Sequence, residues 1–157
     1  MYTIGDRIVH PMHGAGVVDD IVTQRSDGIA REYYVFRAPM DNIVVLIPVG
    51  SSDGIGVRPV VERAAAQALL DAYPTLHPEA NVSWNRRYRD NMLRIKSGDL
   101  TEVAVVVKSL MLRGKEHTLS TGERKMLTAA KRILLSELSL ALDAGVDVLD
   151  QKLDAML

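Results

Sequence analysis

The 157-residue sequence contains no cysteine. Disulfide frameworks, thiolate metal centres and cysteine nucleophiles are thereby excluded, and the chain suits a reducing cytoplasm. Aromatic residues are scarce at 4%, comprising five Tyr, one Phe and one Trp, so the core must rest on Val, Ile, Leu, Met and Ala. The lone indole, Trp84, stands out against that background. No apolar run approaches the roughly 20 residues that span a bilayer. The opening Met1-Tyr2-Thr3-Ile4-Gly5-Asp6 also lacks the basic-then-apolar order of a signal peptide, and a soluble intracellular protein is expected. Net charge is nearly absent as well. The 19 basic and 20 acidic residues leave −1, which for the chain as a whole points to no polyanion partner.

What is present changes character near residue 58. From Asp6 to Pro48 the sequence is β-like, with Arg7-Ile8-Val9, Gly16-Val17-Val18, Ile21-Val22-Thr23, Glu32-Tyr33-Tyr34-Val35-Phe36 and Ile43-Val44-Val45-Leu46-Ile47 separated by glycines and prolines. Pieces of three to five residues so closely spaced predict a small antiparallel barrel or curled sheet. Asp27-Gly28 marks a tight hairpin turn. Alternation sends Tyr34 and Phe36 to one face, the core. Beyond the Gly-rich stretch 50–56 the periodicity is helical. Pro59 suits a first helical turn, and a helix is predicted from Val60 to Tyr73, where Pro74 ends it. Residues 74–83 read as a loop. Ser83 caps a helix from Trp84 to about Lys96, and Asp99 with Glu102, then Ser120 with Glu123, open helices to about Arg113 and Ala144. A last helix, Val146 to Leu157, places Val146, Leu149, Leu153 and Leu157 on one face. The fold class is α+β: a β-barrel module, residues 1–58, followed by an all-α bundle of about five helices, residues 59–157.

Charge is segregated although it sums to almost nothing. Residues 84–132 carry 12 basic and 5 acidic groups, a local +7, while 133–157 carry 1 and 5. A +7 stretch is either a polyanion footprint, since cations that neutralise phosphates release condensed counterions, or the solvated faces of two helices. Arg124, Lys125, Lys131 and Arg132 form one basic face of the helix from Thr121, opposite Met126, Leu127, Ala130, Ile133 and Leu134. Trp84, Tyr88, Met92 and Ile95 recur at helical spacing, which would make Trp84 one more core residue. Its position at the helix start, followed by Arg86, Arg87 and Arg89, suits instead an indole set against an unstacked base step with guanidinium groups on phosphates.

Other constellations carry little. The four histidines, His10, His13, His77 and His117, make no metal-ligand spacing, and none of the patterns of a phosphate loop or nucleophile elbow occurs. No cofactor or metal is indicated, nothing reads as an active site, and the protein is expected not to be an enzyme.

Three motifs resemble a known family. Ile4-Gly5-Asp6-Arg7-Ile8-Val9-His10-Pro11-Met12-His13-Gly14-Ala15-Gly16-Val17 resembles the start of the CarD/CdnL transcription regulators and of the polymerase-interaction domain of transcription-repair coupling factors. Asn81-Val82-Ser83-Trp84-Asn85-Arg86-Arg87-Tyr88 and Leu119-Ser120-Thr121-Gly122-Glu123-Arg124-Lys125-Met126-Leu127 are similar to the helical domain found in CarD and not in the coupling factors. The resemblance implies a Tudor-like barrel that docks on the RNA polymerase β subunit by strand pairing. It also implies a helical domain at the upstream edge of the promoter bubble, where Trp84 would be a minor-groove wedge that prolongs the open complex. Arg86, Arg89, Arg124 and Lys125 match basic DNA contacts. On the polymerase-facing edge, Gln24 and Leu46 stand where family members can carry Arg, and Arg25 lies one residue along. What the resemblance describes is a cytoplasmic global regulator, held at the nucleoid through polymerase. Nothing in the sequence demands a dimer. The alternative is an interaction module that binds polymerase or another partner without touching DNA.

Overall fold

The computed structural model describes residues 1–77 and 83–157. Within the expected loop, Pro78 and Asn81, and with Asn81 and Val82 the start of the second motif, lie outside the described residues. The β-rich part is a five-stranded antiparallel sheet of β1 (Arg7–His10), β2 (Gly14–Ser26), β3 (Ile29–Ala38), β4 (Ile43–Pro48) and β5 (Arg58–Pro59), in the order β4-β3-β2-β1-β5. The sheet does not close into a barrel; β4 and β5 are its two edges. Asp27 and Gly28 both take positive φ, 53° and 77°, so the β2–β3 hairpin turns as the dipeptide demands.

The strands are not the short pieces that the sequence suggests. β2 runs for 13 residues because a bulge between Val18 and Asp20 carries it through the exposed Asp19-Asp20 pair without breaking the ladder. A further difference concerns Pro59, which lies in β5 and not in a helix. Val60 donates its amide to the Arg7 carbonyl at 3.1 Å, which holds the chain extended as far as Glu62, the N-cap.

A single turn, α1 (Ser52–Ile55), occupies the Gly-rich stretch. Five longer helices follow: α2 (Arg63–Ala72), α3 (Trp84–Lys96), α4 (Leu100–Glu116), α5 (Thr121–Leu142) and α6 (Val146–Ala155). Local chemistry sets their starts. Ser83 accepts from the Arg86 amide, Asp99 from those of Thr101 and Glu102, and Ser120 with Glu123 completes a reciprocal capping box.

Two apolar clusters form. One fills the sheet with Ile8, Val18, Tyr34, Phe36, Ala38, Ile47 and Val57. The other fills the bundle, and Val9 and Ala15 of the sheet join it. The joint between them is polar and tight. Glu137 of α5, fully buried, accepts from both terminal nitrogens of Arg58 at 2.6 Å and from the Val61 amide at 2.9 Å. Ser136 accepts from the Ala15 amide at 2.8 Å. Gly14, at φ 80°, lies so close to α5 that a Cβ there would stand 2.6 Å from the Ser136 hydroxyl oxygen and 3.0 Å from the Arg132 carbonyl oxygen. Arg7 donates to the Leu140 carbonyl, and Arg132 pairs with Asp41 of the β3–β4 turn at 2.5 Å.

Candidate functional site

The site begins with the helix that carries the only tryptophan. No residue of α3 is fully buried. Met92 and Ile95 pack against the bundle core, whereas Trp84 is 44% and Tyr88 37% exposed, so the apolar stripe divides into a seated half and a projecting half. The two rings stack on each other with centroids 5.2 Å apart and planes within 16°. Trp84 is therefore not a core residue. One face of the indole is supported by Tyr88.

Tyr88 also joins two motifs that are far apart in sequence. A Cβ on Gly122, the second residue of α5, would meet the Tyr88 ring at 3.6 Å, so the aromatic pair lies against the α5 N-terminus. One turn into α5 come Arg124 and Lys125, both exposed. The Thr121–Glu123 turn between is fixed electrostatically. Burial pushes the Glu123 carboxyl up, but hydrogen bonds with Ser120 and the charges of Arg113 and Arg87 outweigh it and hold the group below the ordinary glutamate range. Arg113 pairs with Glu123 at 3.0 Å.

The predicted DNA-contacting cations thus separate into two groups. Arg86 pairs with Asp90 at 3.6 Å, and Arg87 is half-buried and acts on Glu123. Arg89, Arg124 and Lys125 are exposed, with no ion pair among the described residues. The basic face expected along α5 is shorter than its spacing suggests. Lys131 pairs with Asp150 of α6 at 2.9 Å and Arg132 with Asp41, so that half of the face ties elements together. In the same stretch Lys108 is buried and donates to the Tyr73 and Pro74 carbonyls at 2.9 and 2.8 Å.

The second surface is the sheet edge. β4 exposes Val44 and Leu46, and among the described residues no further strand pairs with its outer backbone groups. Register settles which of the predicted edge residues share a face. Leu46 lies opposite Val35, and Gln24 opposite Arg31, with Arg31 and Val35 on the same side of β3. Arg25 lies opposite Ala30, on the other face, so it does not stand in for a cation at Gln24. Arg31, exposed and directly across from Gln24, was missed by sequence reasoning because only the pairing register brings it there. Gln24 and Leu46 do not share the β4 edge, however: the first is on β2 and the second on β4, with β3 between them, and they are offset by four β3 positions, roughly 13 Å along the strand.

A sheet whose β4 edge pairs with no further strand among the described residues, joined through α5 to a bundle that projects an aromatic pair against the N-terminal turn of α5, defines a two-part binding fold. Among the described residues no three His, Asp or Glu side chains cluster as a metal site. Residues 2–61 match the family model for the CarD-like/TRCF RID domain, and residues 69–154 that for the CarD C-terminal domain. A Bacillus subtilis (strain 168) protein described as "Putative transcription factor YdeB" is 36% identical over 138 residues, covering 88% of this chain and 90% of that one. The chain belongs to the CarD family, whose members are transcription regulators that interact with RNA polymerase. No helix among the described residues is long and apolar enough to cross a membrane.

Proposed function

We propose that the protein binds the RNA polymerase β subunit through residues 1–58 and promoter DNA through residues 59–157, and that it stabilises the open complex by setting Trp84 as a wedge at the upstream edge of the bubble. One observation carries this reading. Trp84 is exposed at a helix start, backed by Tyr88, and that pair abuts the α5 N-terminus that carries Arg124 and Lys125. An indole so held presents a flat apolar group to an unstacked base step, and Arg89, Arg124 and Lys125 are available to phosphates. Arg86 contributes if DNA displaces Asp90, and Arg87 acts by holding the capping turn. On the polymerase side, β4 pairs through its backbone, which needs no cation at Leu46. Gln24 on β2 and Arg31 on β3, beyond the end of β4, lie on the same face of the sheet as Leu46, and Arg25 lies on the other face. No nucleotide hydrolysis is called for.

A wedge that favours the open over the closed complex by about 1.4 kcal/mol shifts the equilibrium roughly tenfold. Trp84→Ala is expected to shorten open-complex lifetime on an unstable promoter by about that factor and to leave β-subunit binding intact. An unchanged lifetime in the folded variant overturns the wedge.

The internal pairing of Arg86, Lys131 and Arg132 favours a second reading, a polymerase-binding module that makes no DNA contact. It predicts that neutralising Arg89, Arg124 and Lys125 together changes neither the lifetime nor its salt dependence. The wedge reading predicts a loss in both.

A further inference from the structure

A cavity of about 560 Å3 opens between the sheet and the bundle, away from Trp84 and from β4. Met12 of the β1–β2 turn and Ile55 of α1 form one wall; Met92 and Ile95 of α3, with Met126 and Ile133 of α5, form the other. Met12 and Ile55 stay 66% and 39% exposed there, so apolar surface has been gathered around a space that the chain does not fill. The volume lies within the roughly 300–1,000 Å3 of small-ligand sites, and flexible thioethers adapt to ligands of varied shape.

Polar groups at the margin select the ligand. Both charged residues that line the cavity, Lys96 and Arg132, are cationic, and no carboxylate joins them. Arg132 is held by Asp41, which leaves Lys96, exposed at the end of α3, as the cation available to a ligand. His10 also lines the space. Its Nδ1 accepts from the Met12 amide at 3.0 Å, and burial, with the charge of His13, pushes its imidazole below the ordinary value, so it is neutral with its proton on Nε2. The margin therefore offers one free positive charge and neutral polar groups.

We propose that this cavity is a binding site for a free monocarboxylate with an apolar chain, its tail among Met12, Met92 and Met126 and its carboxylate on Lys96. Because the walls come from the sheet side and the helix side, an occupant braces the joint between them and stabilises the fold by mass action. The site is independent of the DNA reading and stands or falls separately from it.

The test uses the full chain labelled at the methionine methyls. Octanoate is titrated against 1-octanol, which has the tail and lacks the charge. Octanoate is expected to shift the Met12, Met92 and Met126 resonances saturably, to leave Met1 and Met40 in place, and to raise the melting temperature. Lys96→Glu is expected to weaken octanoate by about tenfold or more, the order produced by reversing one partly screened charge a few Å away, and to leave octanol unchanged. Ala129→Phe, which fills the wall, abolishes binding of both; if that variant misfolds, Ile55→Trp at the exposed mouth serves the same purpose. Equal affinity for octanol and octanoate overturns the proposal, as do shifts spread over all methionines or binding that survives the filling variant. So does failure of octanoate to bind at all, which would leave a protein side chain as the occupant.

Discussion

The Glu137–Arg58 pair offers the sharpest test of how the two parts are joined. Glu137 is fully buried, the Arg58 side chain keeps 22% of its surface in water, and the carboxylate receives three hydrogen bonds. Removing one partner of a buried pair costs about 3–5 kcal/mol, because the remaining charge is stranded. Arg58 still reaches solvent, so Glu137→Leu belongs at the lower end, about 3 kcal/mol, and the unpaired Val61 amide adds about 1 kcal/mol. A loss of that size takes a large share of the 5–15 kcal/mol typical of a whole domain. Replacing both partners, Glu137→Leu with Arg58→Met, strands no charge and is expected to recover at least about 1.5 kcal/mol relative to the sum of the single variants. Urea unfolding at neutral pH, followed by helical circular dichroism, measures all three. A single-variant loss below about 1 kcal/mol, or strict additivity, would show that the pair does not hold the joint.

Other outcomes follow from the same contacts. Gly14→Ala is expected to destabilise by about 2 kcal/mol or more, since the new methyl meets Ser136 and takes a positive φ, whereas Gly28→Ala, with open space around it, pays only for its backbone conformation; paired thermal melts distinguish the two. Lys108→Met removes both charged hydrogen bonds to the Tyr73–Pro74 turn and is expected to cost about 2 kcal/mol in urea unfolding. Glu123, held below its ordinary value of 4.5, contributes stability that is present above that value and is lost as pH falls through the lowered one. Glu123→Gln should therefore be less stable than wild type by about 1 kcal/mol at neutral pH, and the difference should vanish on strong acidification; a gap independent of pH refutes the assignment.

Much of this architecture is legible in sequence where the determinant is local. Asp27-Gly28 turns a hairpin, Ser83 and Ser120 cap helices, and alternation buries Tyr34 and Phe36, because each rests on residues within a few positions of one another. What was not legible depends on partners far along the chain. Pro59 looks like a helix start until its neighbour Val60 bonds Arg7. Lys131 and Arg132 continue a basic face by spacing, yet Asp150 and Asp41 occupy them. Glu137 reads as a polar position inside an apolar run, and its Arg58 partner is 79 residues away. The same holds for the candidate site. Spacing brought Trp84, Arg86, Arg87 and Arg89 onto one helix, but the seating of Tyr88 against Gly122, which sets the aromatic pair on the same N-terminal turn of α5 that leads into Arg124 and Lys125, is a tertiary contact.

One element connects these observations. Toward its C-terminal end α5 receives the sheet, through Ser136, Glu137 and the Leu140 carbonyl; at its N-terminus it carries the turn against which Tyr88 and the exposed cations lie. Arg124 and Ser136 are twelve residues apart on one unbroken helix, about 18 Å at the helical rise. On the proposed reading, a polymerase-bound sheet therefore presents the aromatic pair to DNA at a set distance and angle, and not through a flexible tether. That geometry converts a modest DNA contact into an intramolecular one with high effective concentration. On that reading a chain of net charge −1 acts on a polyanion because docking supplies the encounter, and only the few exposed cations of α3 and α5 need to face phosphate.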